Sequence, residues 1–174
     1  MIKKYYIVTS LNLEIEKKIK NYRNINIIIR VKNSKENNHI LNKIIKSNIH
    51  NKIFIANNYR LGKSSKISGL YLSSFNKKPL KNNKCIIGSS HSISQILEKK
   101  RAECSTIFLG PVFDNKYNIN GKKLGIIKFL LISKNFKNKI YPIGGINNLI
   151  KLKNYGISGF AGTRFFEKKT STSN

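Results

Sequence analysis

Eight short segments rich in β-branched and other apolar residues recur along the chain, and they restrict its fold more than any other feature. They are Lys4–Val8, Asn26–Val31, Lys52–Ala56, Gly69–Leu72, Lys84–Ile87, Ser105–Leu109, Lys139–Ile143 and Gly159–Gly162. Each is nearly continuous in hydrophobicity, as expected of parallel strands covered on both faces. The connectors between them are polar or amphipathic. Leu11, Ile15, Ile19 and Tyr22 form one helical stripe, with Ser10 as the expected N-cap; Ile40, Leu41, Ile44 and Ile45 form another. Ser92-Ile93-Ser94-Gln95 has the capping-box pattern, in which hydroxyl and amide satisfy the first backbone N–H groups. Ile126, Phe129 and Leu130 mark a further helix, and Asn147 is expected to cap a short one through Leu152 that Gly156 ends. The stretch from Phe75 to Asn83 is too short and polar to predict a helix. Strand–helix alternation implies a parallel sheet, and eight strands suggest closure. The chain has 174 residues, against about 250 for a typical closed (β/α)8 barrel. The expected fold is therefore α/β: a shortened (β/α)8 TIM barrel with some helices trimmed or missing. Residues 1–168 would form this single domain, and residues 169–174 a frayed polar tail.

No apolar run reaches the roughly 20 residues of a membrane span. The first residues have a basic head but too short an apolar stretch for a signal peptide, so a cytoplasmic protein is expected. Cys85 and Cys104 form no CxxC pair and read as two reduced core thiols. The formal charge of +27 admits a nucleic-acid binder, because lysines release counterions from phosphates. Composition offers the plainer account: lysine, asparagine and isoleucine dominate, and basic residues are spread along the whole chain. Either way the charge favours anionic small molecules by long-range attraction.

Chemistry is expected where strands end. Pro142-Ile143-Gly144-Gly145-Ile146 follows the seventh strand, and glycines there let backbone N–H groups approach a phosphate. The loops after strands seven and eight are the common phosphate site of such barrels, so Gly159-Phe160-Ala161-Gly162-Thr163-Arg164 is the expected partner loop. A tight turn and a surface arginine are the plainer alternatives. Arg30 and Lys32 would share a strand face by period two and hold a diphosphate, the first as a planar fork and the second as a point charge. Asn57 and Asn58 end strand three, where amides bind polar groups or simply form a turn. In Ser89-Ser90-His91-Ser92, His91 is an acid–base candidate or an exposed neighbour of a helix cap. Gly110-Pro111 leads out of strand six towards Asp114, the chain's single aspartate, so a two-carboxylate site is not expected.

In their order, Tyr6-Ile7-Val8-Thr9, Arg30-Val31-Lys32, Ile55-Ala56-Asn57-Asn58, Gly69-Leu70-Tyr71-Leu72, Ser89-Ser90-His91-Ser92, Leu109-Gly110-Pro111-Val112-Phe113, Ile143-Gly144-Gly145-Ile146-Asn147 and Gly159-Phe160-Ala161 cover nearly the whole chain. This set resembles the thiamine-phosphate synthase and TenI-like family, and is similar to its divergent alphaproteobacterial-type branch. The resemblance implies a transferase that joins hydroxymethylpyrimidine diphosphate to thiazole phosphate, giving thiamine phosphate and diphosphate, with Mg2+ as cofactor. It implies catalytic roles for Arg30, Lys32 and His91. It implies substrate contacts at Asn57, Ser89, Ser90, Gly110, Gly125, Gly144, Gly145, Gly162 and Thr163. The family's two magnesium aspartates fall at Asn58 and Asn76, its strand-four histidine at Tyr71, and the glutamine before its arginine at Ile28. The threonine and lysine of its loop after strand six fall near Asn115 and Asn118, with Lys116, Lys122 and Lys123 close by. Asparagine binds magnesium more weakly than aspartate. His91 matches the tautomerase histidine, so the alternative is a TenI-like thiazole tautomerase, or a barrel that only binds thiazole phosphate or thiamine phosphate. The expected partners are these phosphorylated pyrimidines and thiazoles, with a homo-oligomer open. A Gly145→Asp change is expected to weaken phosphate binding while leaving the fold intact.

Overall fold

In the computed structural model, the residues described are 1–32, 34–48, 50–56, 64–76, 84–114, 123–137 and 139–167. Eight parallel strands follow one another around the sheet: β1 (Lys3–Val8), β2 (Asn26–Ile29), β3 (Lys52–Ala56), β4 (Gly69–Leu72), β5 (Cys85–Ser90), β6 (Thr106–Leu109), β7 (Lys139–Pro142) and β8 (Gly159–Gly162). The order β7-β6-β5-β4-β3-β2-β1-β8 leaves only β7 and β8 to meet. They meet through one parallel bridge, Ile143 to Ala161, just beyond β7. The expected (β/α)8 TIM barrel is thus present and nearly closed.

The helices among the described residues are α1 (Leu13–Asn21), α2 (Lys35–Ser47), α3 (Ile93–Arg101), α4 (Ile126–Lys134), α5 (Leu149–Asn154) and α6 (Arg164–Glu167). Local chemistry sets where they begin. Asn12 Oδ1 accepts from the Ile15 N–H at 2.8 Å, so Asn12 caps α1 in place of the expected Ser10. Asn148, one residue after the expected Asn147, caps α5 through the Ile150 N–H at 2.8 Å. Asparagine at these positions satisfies a donor that the first helical turn leaves orphaned. Gly156, at φ 67°, ends α5 as expected; the Ile157 N–H reaches back to the Leu152 carbonyl at 3.0 Å, closing a Schellman motif. Ser92 caps α3, its hydroxyl accepting from the Gln95 N–H at 3.2 Å. The Gln95 amide oxygen takes the His91 N–H at 2.6 Å, one residue earlier than in a standard capping box.

Strand periodicity sorts the core into two layers. Tyr5, Ile7, Ile28, Phe54, Tyr71, Ile87, Phe108, Tyr141 and Ala161 fill the barrel interior. The Tyr5 and Phe108 rings meet edge-on at 4.9 Å. The Tyr5 and Tyr71 hydroxyls find Thr106 and Ser89 inside this packing. A Cβ at Gly159 would lie 2.6 Å from the Tyr141 ring, so the large ring and the missing side chain are complementary. The opposite strand faces, including Tyr6, Ile27, Ile29, Ile53, Ile107 and Phe160, join the helices in the outer core. The interior is a packed plug, and a ligand has room only at its rim.

One thiol departs from expectation. Cys104 is buried just before β6, as expected, but Cys85 is exposed at the start of β5. Among the described residues, no helix is long and apolar enough to cross a membrane. The tail over 169–174 lies outside the described residues.

Candidate functional site

Because all eight strands run parallel, their C-terminal ends share one rim. At that rim the exits of β1, β2, β7 and β8 enclose a cavity of about 470 Å³. Ile7, Thr9 and Ser10 line it from β1, and Arg30 from β2. Ile143 to Ile146 line it from β7, and Gly162, Thr163, Arg164 and Glu167 from β8 and α6.

The backbone after β7 is shaped for its position. Gly144 and Gly145 have φ of 87° and 70°, the left-handed region that side chains disfavour. Space excludes a side chain as well. A Cβ at Gly144 would lie 2.8 Å from Pro111, and one at Gly145 would lie 2.5 Å from the Asp114 carbonyl. Among the described residues the N–H groups of Gly144, Gly145 and Ile146 have no hydrogen-bond acceptor, and neither do those of Thr163 and Arg164 across the seam. Two runs of unsatisfied N–H donors on facing loops form a concave anion-binding surface. The Thr163 hydroxyl donates to the Ile7 carbonyl at 3.1 Å, which ties the β8 loop to β1.

Arg30 lies one residue beyond β2, on the inward face that Ile28 begins. Its backbone N–H holds the Val8 carbonyl at 2.8 Å. Its charge reaches Tyr71, whose hydroxyl pKa is raised by burial and pulled back by the Ser89 hydrogen bond and by Arg30. Lys32 does not join it. Strand geometry stops at Ile29, so the period-two relation no longer holds, and Lys32 is exposed on the β2–α2 connection. Gly144, Gly145, Gly162 and Thr163 therefore share one cavity with Arg30 but not with Lys32.

The other candidates lie around the rim. Ser89 is buried beside Tyr71. Ser90 is fully buried, 3.5 Å from the Phe108 carbonyl. His91 is exposed, and its Nδ1 meets the Gly110 carbonyl. A carbonyl can only accept, so Nδ1 carries a proton, and in the neutral ring that leaves the lone pair on Nε2. Gly110, joined to Pro111 by a cis bond, has a packing reason to be glycine: a Cβ would fall 2.1 Å from the Ile143 carbonyl. Gly125 precedes α4 with φ of 79° and open space around it. Asp114 is exposed and pairs with Lys123 at 2.8 Å across the base of the β6–α4 loop. Asn57, Asn58, Asn115, Lys116, Asn118 and Lys122 lie outside the described residues.

Asn76 follows β4, and its backbone carbonyl accepts from Lys99 Nζ at 2.5 Å. Lys99 also donates to the Ser73 carbonyl at 2.6 Å, and it is fully buried on α3. Desolvation lowers its pKa, partly offset by the charges of Cys104 and Glu98. Nothing marks this lysine among so many in the sequence. Thr9 and Ser10 were also missed as cavity residues, although a polar pair directly after an apolar strand is a readable signal. Among the described residues no three His, Cys, Asp or Glu side chains cluster as metal ligands.

Fold and cavity together define a (β/α)8 barrel with a cavity at its C-terminal mouth, between its first, second, seventh and eighth strands. Within that class the chain is similar, over part of their length, to proteins named thiamine-phosphate synthase, as the order of its strand-end motifs implied. It is 32% identical over 130 residues to a thiamine-phosphate synthase of Prochlorococcus marinus subsp. pastoris, a match covering 70% of this chain and 36% of that protein. It is 34% identical over 87 residues to the enzyme of a second Prochlorococcus marinus strain, covering 49% and 25%. The chain thus spans about a third or less of the length of the curated relatives it matches. The solved thiamine phosphate pyrophosphorylase from Pyrococcus furiosus superimposes with a TM-score of 0.75 at 19% identity, over 92% of this chain and 84% of that one. No family model matches the chain.

Proposed function

We propose that the cavity binds a thiazole phosphate and that the barrel is a thiamine-phosphate synthase-type transferase working in the cytoplasm. One observation carries this reading: unsatisfied N–H groups from the β7 and β8 loops face one cavity that also holds Arg30. The N–H groups suit the phosphate oxygens of the thiazole. Arg30 suits the diphosphate of hydroxymethylpyrimidine diphosphate, as a planar fork that matches phosphate geometry. In the reaction the carbon–oxygen bond to diphosphate breaks and the leaving group keeps the electron pair. The thiazole nitrogen then gives its lone pair to the same methylene carbon. Stabilising the departing diphosphate is the main catalytic demand, and the Arg30 guanidinium supplies positive charge for it at the cavity.

Magnesium is the cofactor this reaction class would use. At Asn76 the described donors are a neutral amide and a carbonyl already holding the Lys99 ammonium. That set does not suit a cation that prefers carboxylate oxygens, so no step is drawn through the metal. A second reading rests on His91, whose Nδ1 is held by the Gly110 carbonyl: a TenI-like tautomerase would use the Nε2 of its neutral ring as a base.

Purified protein with both phosphorylated substrates, with and without magnesium, separates these readings. The transferase reading expects thiamine phosphate, and about 100-fold less of it with Arg30→Gln. No thiamine phosphate, together with His91-dependent interconversion of thiazole carboxylate isomers, would replace it by the second.

A further inference from the structure

Two guanidiniums reach the mouth cavity, and only one of them has a role above. Arg30 enters from the β2 exit and Arg164 from the first residue of α6. Among the described residues neither side chain makes a hydrogen bond or an ion pair. Arg30 is exposed and Arg164 half-buried, and the lining also holds one exposed carboxylate, Glu167. The two arginines line one cavity from the strands on either side of β1, so like charges gather at its mouth. A structural role would give them a carboxylate or carbonyl acceptor, and neither has one. An anionic ligand removes the repulsion and supplies acceptors for both forks.

We propose that Arg164 is a ligand-binding residue of the β7–β8 phosphate cup and, opposite Arg30, makes the cavity select ligands with two anionic groups over ligands with one. The phosphate lies on the N–H groups of Gly144 to Ile146, and Arg164 closes over its exposed oxygens from the β8 side. Arg30, across the cavity, takes the second anionic group. The selection arises because a second anionic group gains a charge-assisted bond to Arg30 that a singly anionic ligand cannot make. This rests on the proposed phosphate site, but not on the identity of the thiazole.

The test is calorimetric titration of the whole chain with inorganic phosphate, pyrophosphate and thiazole phosphate at fixed ionic strength. Wild-type protein should prefer pyrophosphate to phosphate. Arg164→Gln should weaken all three by about tenfold or more, as for loss of a charge-assisted bond. Arg164→Lys should recover part of the affinity, because a point charge lacks the fork. Arg30→Gln should remove the preference for pyrophosphate while leaving phosphate bound. Lys128→Gln, on the exposed side of α4, controls for net charge and should change nothing beyond twofold. Equal losses for Lys128→Gln and Arg164→Gln, or unchanged phosphate affinity in Arg164→Gln, would overturn the assignment. Binding of phosphate and pyrophosphate without thiazole phosphate would leave it standing and remove the thiazole reading instead.

Discussion

Gly144 and Gly145 differ from the other described glycines in two ways at once: φ is positive, and the space a Cβ needs is filled, by Pro111 in one case and by Phe113 and Asp114 in the other. The Gly145 neighbours are main-chain atoms of Phe113 and Asp114, which cannot swing aside. Gly145→Ala should therefore lower stability by roughly 2–4 kcal/mol, strain and overlap together. Gly125→Ala meets open space but a backbone conformation, φ 79° and ψ 154°, that is essentially confined to glycine, and should lose about 1–3 kcal/mol. Gly162→Ala has neither obstacle and should stay within about 0.5 kcal/mol. Urea midpoints of the three variants measure this ranking. The same geometry corrects the expectation for Gly145→Asp, which would disturb the loop itself and cannot report on phosphate alone. Cys104 offers a second residue-scale test. Burial pushes its thiol up from 9.0 to about 12. Its raised folded pKa contributes stability that is complete below pH 9 and is lost as pH rises towards 12. The stability gap between wild type and Cys104→Ala should thus narrow between about pH 8 and pH 11; a constant gap would show that the thiol does not titrate with unfolding. Of these residues, the glycine pair was legible because Gly-Gly after an apolar strand has few other uses. The burial of Cys104 against the exposure of Cys85 was not, since both sit among similar apolar neighbours and only strand register separates them.

The seam between β7 and β8 is the weakest join between elements. Every other neighbouring pair of strands shares a ladder of three or four register partners, whereas this one has the Ile143–Ala161 bridge alone. Local opening should begin there. In hydrogen–deuterium exchange, peptides spanning 139–146 and 159–163 should take up deuterium before those spanning 3–8 and 26–29. Uniform exchange around the barrel would contradict this order. All eight strands were readable from continuous apolar runs, because parallel strands under helices leave no face polar. Helix starts were less readable. Ser10 and Asn147 are good caps in composition, yet Asn12 and Asn148 act. The choice between polar neighbours depends on where the strand releases the chain, and periodicity does not carry that. The same limit separated Arg30 from Lys32: period two carried as far as Arg30, whose N–H still bonds the Val8 carbonyl, and not to Lys32.

At the scale of the molecule, the formal charge of +27 is balanced by few local pairs. Two of the three ion pairs described lie within α1, Glu14 with Lys18 and Glu16 with Lys20. The remaining positive charge repels itself and destabilises the compact state. Raising sodium chloride from about 10 mM to about 200 mM should therefore raise the urea midpoint by screening. An unchanged or falling midpoint would show that attractive pairs dominate. Charge of this size was legible at once, but its meaning was not, because composition alone does not say whether cations converge. The fold answers for two of them, Arg30 and Arg164 at the mouth.

The single bridge that joins β7 to β8 acquires another meaning once the cup is considered. Its donors stand on both sides of that join, Gly144 to Ile146 on one and Thr163 and Arg164 on the other. An anion gripped by both sides works as a rivet through the barrel wall. Occupancy and wall closure then become one equilibrium, and the ligand's free energy adds to that of the fold as its concentration passes its dissociation constant. The concentration of ligand would thus set how often the wall stands open.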